Sequence, residues 1–121
     1  MANDFKRFVV NGATTSTGAS ADALYTTPAG AGSSALESIV IGITLANTTN
    51  TGVSASVFLD GFDGTDAHII KDATVPAGSS LEIMAGNKIV LQNNGTAGDV
   101  VRVSSSTGSS LDAVLSVLED V

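Results

Sequence analysis

Three aspartates, Asp60, Asp63 and Asp66, recur at every third position of the stretch DGFDGTD at 60–66. Carboxylates on a glycine-containing loop can gather a hard cation such as calcium. The spacing departs from the EF-hand loop, whose acids lie two apart and precede a glycine. Aspartates that bond backbone amides in turns explain it more simply, so no metal site is expected. His68 is the single histidine. A Ser-His-Asp hydrolase would need it, but the chain has no G-x-S-x-G elbow, and a half-exposed strand position is the simpler reading. Gly30 and Gly32 resemble the start of a dinucleotide fingerprint. They follow Pro28 rather than a strand, Ala35 stands where the last glycine belongs, and no βαβ pattern surrounds them. Asn47-Thr48-Thr49 and Asn94-Gly95-Thr96 match the glycosylation sequon but carry no weight without a secretion signal. No catalytic residue, cofactor or metal ligand is expected from these positions.

Composition narrows the partners. Twelve acidic residues against five basic ones give a net charge of −7, which argues against nucleic acid and against an anionic membrane surface. Without cysteine there is no disulfide framework and no thiolate metal site. The opening MANDFKRFVV lacks the apolar run of a signal peptide, so synthesis and folding in a cytoplasm are expected. Charged residues make up only 14% of the chain, and Tyr25 and four phenylalanines are its aromatic residues. A surface of Ser, Thr, Ala and Gly suits a chain covered by neighbours, or simply a neutral β-protein.

The elements that would position any site are strands. In 39–45, Ile39, Ile41, Ile43 and Leu45 alternate with Val40, Gly42 and Thr44; in 53–60, Val53, Ala55, Val57 and Leu59 alternate with Ser54, Ser56, Phe58 and Asp60. Period two in β-branched runs marks half-buried strands. The polar link 46–52 joins them, and direct antiparallel pairing across it is expected. Further strands are predicted at 5–10, 24–27, 67–72, 81–84, 88–92 and 100–105, with turns at VPAGSS and NNGTAGD. Segment 111–121 alternates as a strand would, but Leu111, Val114, Leu115 and Leu118 also fit a helical face behind Ser110. The surrounding meander favours strand.

The expected architecture is all-β, an antiparallel sandwich or jelly roll of about eight strands, formed by residues 24–121. Residues 1–23 read as an N-terminal arm and flexible stretch, with Phe5, Phe8 and Val9 as candidate assembly residues. The core is predicted to hold Ile39, Ile41, Ile43, Val57, Leu59, Ile83, Val90 and Val103. The same register makes Ile41→Ala costly, by about 2–5 kcal/mol.

Four segments, ALYTTP at 23–28, SIVIGITLANTT at 38–49, VPAGSSLEIMAGNKIVL at 75–91 and GDVVRVSSSTGSSLDAVLSVLEDV at 98–121, resemble small virion structural proteins of tailed, marine-type bacteriophages. The resemblance covers most of 23–121 and lies in strands and turns rather than in a chemical motif. It implies a non-enzymatic capsid decoration, neck or tail accessory subunit located in the virion. The implied partners are copies of itself, expected as a trimer, and major capsid or tail proteins. A carbohydrate- or host-surface-binding β-sandwich module is the alternative, although few aromatics beyond Tyr25, Phe58 and Phe62 are available to stack on sugars.

Overall fold

The computed structural model describes residues 3–84 and 86–120. Nine strands follow in order: β1 Asn3–Val10, β2 Asp22–Thr26, β3 Leu36–Asn47, β4 Val53–Asp60, β5 Asp66–Val75, β6 Ser80–Glu82, β7 Ile89–Asn93, β8 Val100–Ser105 and β9 Leu111–Asp120. Sheet A runs β1-β9-β3, and β6 and β7 share the far side of β3 end to end; sheet B runs β2-β8-β4-β5. All the pairings are antiparallel. The pairs nest: β1 with β9, β2 with β8, β3 with β6 and β7, β4 with β5. One long hairpin wound around a core in this way is a jelly roll.

The inward faces of both sheets supply that core. Val40, Ile43, Leu45, Leu91, Leu111, Leu115 and Val117 from sheet A meet Tyr25, Val57, Val75, Val101 and Val103 from sheet B, all essentially inaccessible to water. Segment 111–120 is therefore strand, with Leu111, Ala113, Leu115, Val117 and Glu119 turned inward. Val121 lies outside the described residues.

Three expectations are corrected. Strands β3 and β4 do not pair: they lie in opposite sheets, and 48–52 crosses between them. Clean alternation in neighbouring runs suits two facing sheets as well as it suits one hairpin. Second, β3 changes parity midway. Its register with β9 slips between Val40 and Gly42, a β-bulge that puts one extra residue into the strand. Leu36, Ser38 and Val40 point inward before it, and Ile43, Leu45 and Asn47 after it. Ile41 is left 41% exposed and Ile39 only half-buried. Val90, opposite Ile39, is also outside, at 57% exposure. Of the predicted core, Ile43, Val57 and Val103 are buried, while Leu59 and Ile83 pack against its margin.

Third, the described part of the expected arm belongs to the sandwich. β1 pairs with β9 along its whole length, Ala13 and Ala21 are buried, and the Phe8 ring packs on Tyr25 with centroids 4.7 Å apart. Met1 and Ala2 lie outside the described residues.

Two corners hold the winding in register. At the β3–β4 crossing, Asn47 Oδ1 accepts from Thr49 N and Oγ1 at 2.9 and 2.7 Å, and its Nδ2 donates to the carbonyls of Thr51 and Val75 at 2.8 and 3.1 Å. The PAGSS turn docks on it through Gly78 N to Thr49 O and Asn47 N to Ser79 O. At the other corner the Asp99 carboxylate accepts from Phe62 N and Gln92 N, and its carbonyl accepts from Thr27 N and Oγ1. Gly98 passes so close to Thr27 O that any Cβ there would collide with it.

The bulge separates two neighbouring isoleucines energetically. Ile43→Ala should lower stability by about 2–5 kcal/mol, whereas Ile41→Ala should cost under about 1 kcal/mol, since it deletes atoms that already meet water. Urea melts of the two variants check this.

Candidate functional site

Sheet A carries an uncovered apolar face. Along β1, Phe5, Arg7 and Val9 point outward while Lys6, Phe8 and Val10 face the core side. The registers set Phe5 opposite Leu118, Leu118 opposite Ile39, and Ile39 opposite Val90. These four side chains form one row across β1, β9, β3 and β7. Phe5 at its end is 78% exposed. Val9 and Val114 pair further along the same face, and Ile41 at the bulge adds to the patch. Cross-strand neighbours on one face lie within side-chain reach, so the row is contiguous. Phe62 is the one large exposed hydrophobic side chain away from this face among the described residues.

A buried polar cluster holds β1, and hence Phe5, in place. Glu119 is inward-facing on β9 and only 2% exposed. Its Oε2 accepts from the Tyr25 hydroxyl at 2.5 Å, and Tyr25 Oη also lies 2.9 Å from Ser38 Oγ. Oε1 pairs with the Lys6 ammonium at 2.9 Å. The cluster joins β1, β3 and β9 of sheet A to β2 of sheet B. A carboxylate placed there must be paired, because removing one partner of a buried charge pair costs several kcal/mol. Burial, and then the bond to Glu119, push the Tyr25 phenol well above its ordinary ionisation range. The hydrogen bond and charge of Glu119 raise the Lys6 ammonium as well.

The residues singled out by type are dispersed. Asp60 Oδ2 accepts from Arg102 Nε at 2.8 Å, and Asp63 Oδ1 accepts from Thr65 N at 3.0 Å within its own turn. The described residues contain no cluster of three or more His, Asp or Glu placed to hold a metal ion. His68 lies against Phe58, with ring centroids 5.2 Å apart. Gly30 and Gly32 belong to the short turn between β2 and β3, which enter different sheets. Asn47 and Asn94 are turn formers, Asn94 Oδ1 accepting from Thr96 N and Ala97 N. Of the candidate assembly residues, Phe5 and Val9 are exposed and Phe8 is turned toward Tyr25.

No family model, curated protein or solved structure matches the chain. The turn segments of the sequence meet at two corners of the fold. ANTT docks against PAGSS at one corner, and ALYTTP meets the Gly98-Asp99 pair at the other. These segments are corner fastenings. Sequence reasoning missed Glu119 and Lys6 because their partners are supplied by topology. The signal available was an acid at the last inward position of an alternating run.

The cluster has a pH signature. Tyr25 and Lys6 both hold their protons to higher pH in the folded chain than in the unfolded one. The stability they contribute is complete below about pH 9, where the unfolded phenol and ammonium are also protonated, and is lost as pH rises toward the raised folded values. The urea midpoint should therefore fall between about pH 9 and about pH 12, and fall less in Tyr25→Phe. Tyr25 is the single tyrosine, so phenolate absorbance follows it directly and should appear only as the fold melts.

Proposed function

We propose that the chain is a non-enzymatic structural subunit of a bacteriophage particle, a capsid decoration or neck or tail accessory protein, that assembles as a homo-oligomer through the outer face of sheet A. The observation that carries this reading is the apolar row Phe5–Leu118–Ile39–Val90, exposed on one face of a chain whose core is already complete. Exposed apolar patches rimmed by polar residues mark interaction surfaces. Strand β1 also lies at the edge of sheet A, where unpaired backbone groups invite a neighbouring chain.

The jelly-roll winding supports the same reading, since virus capsid domains and lectins both use it; fold alone does not fix function. The resemblance of 23–121 to small virion proteins adds the particle. It also implies a trimer. The small uncharged side chains of the surface lose little rotamer freedom and little charge hydration when covered.

Light scattering behind size-exclusion chromatography should give a stable oligomer, and the protein should co-sediment with purified particles of a tailed phage that encodes it. Phe5→Glu combined with Val90→Glu should yield a monomer of unchanged circular dichroism that no longer co-sediments. A parent chain that stays monomeric at high concentration and ignores particles would overturn the proposal. Truncating 1–21 would remove β1 and with it Lys6, the partner of Glu119.

A further inference from the structure

The outer face of sheet B differs from that of sheet A in carrying a groove lined mostly by polar residues. A groove of about 460 Å³ runs between the 14–18 loop and β5, with Ser56, Phe58 and Ser104 on its floor. Its far wall is made by an irregularity of the backbone. The β4–β5 register jumps from Ala55↔Ala73 to Val57↔Ile70, so Lys71 and Asp72 bulge opposite Ser56. Asp72 sits at φ +52, a left-handed conformation that aspartate tolerates better than most residues. In a flat strand Lys71 and Asp72 would face opposite sides. Here both line the groove. Bulges that re-aim side chains, and residues held at positive φ, concentrate at functional sites.

The near wall is also fixed in advance. Thr14 O accepts from Ser105 N at 2.9 Å and Thr14 N donates to Asp22 Oδ2 at 2.9 Å. Asp72 N is held by Ser56 Oγ at 3.0 Å. Among the described residues, the side chains of Asp66, His68, Lys71 and Ser104 make no hydrogen bond or ion pair to the protein. They are available to a ligand. The exposed His68 ring, backed by Phe58, is the one flat surface they surround.

This is the chemistry of polyol recognition. Carboxylates accept from paired hydroxyls, an ammonium and serine hydroxyls donate back, and a ring receives the C–H face of a sugar. The volume falls within the range of small-molecule sites. Two carboxylates against one ammonium, on a chain of net charge −7, disfavour an anionic ligand.

We propose that the groove on sheet B is a binding site for a neutral saccharide. The site is independent of the apolar face, so assembly through sheet A and binding through sheet B can each stand or fall separately.

The test uses the full chain, a panel of neutral gluco-, galacto- and manno-oligosaccharides, and sialylated and sulfated counterparts. Amide chemical shifts in the titrated protein locate the binding. At least one neutral oligosaccharide should shift the amides of Ser56, Asp72 and Ser104 and leave Phe5 and Val114 unmoved. His68→Ala and Asp72→Asn should each weaken that binding about tenfold, roughly 1.4 kcal/mol. Asparagine keeps the positive φ and hence the bulge. Neutral oligosaccharides that leave the groove amides unmoved, binding confined to acidic glycans, or variants that bind like the parent would each overturn the proposal.

Discussion

The whole structure leans on a carboxylate placed where water cannot reach it. Glu119 ends the inward row of β9, and a lone buried charge there would be untenable. Its charge is compensated only if β1 brings Lys6 beside one oxygen and β2 brings the Tyr25 hydroxyl to the other. Those strands belong to different sheets, and both lie far from Glu119 in sequence. The ion pair and the hydroxyl bond therefore close the sandwich as well as neutralise the acid. With the Phe8 ring packed at a tilt against Tyr25, the first strand is fastened by charge and by packing together. Its outward residues, Phe5 and Val9, are presented from a rigid base rather than from a swinging segment.

The corners work by a similar logic on neutral groups. Each end of a wound hairpin must turn without leaving backbone amides and carbonyls unpaired. Asn47 uses both lone pairs of its oxygen and both of its amide hydrogens on a single crossing. Asp99 gathers backbone groups from 27, 62 and 92. Such residues look like candidates for chemistry in a sequence and act as fasteners in the fold.

Much of this is legible in the sequence, and the reasons for the rest are physical. Alternation marks strands, glycine and asparagine mark turns, and the all-β class follows. Alternation does not say which strand is a neighbour, so a hairpin of β3 and β4 is the natural but mistaken reading of 39–60. Nor does it reveal a bulge: one unpaired residue at Ile41 reverses the parity of every position before it, moving Ile39 out and Val40 in. The groove is hidden for a related reason, since it depends on a local φ at Asp72 that no spacing encodes. The tie between residues 25 and 119 is set by the winding alone.

The antiparallel pairing of β1 with β9 sets Asn3 opposite Asp120, so both ends of the described chain leave from one corner. Tension applied between them would load that ladder from its open end. Hydrogen bonds in such a ladder run perpendicular to the strands and would break in succession, like a zipper, instead of sharing the strain as they do under shear. A domain with this geometry is mechanically weak along its own termini and far stiffer across its sheets. Such a domain suits being held through a sheet face rather than strung in line as a tether.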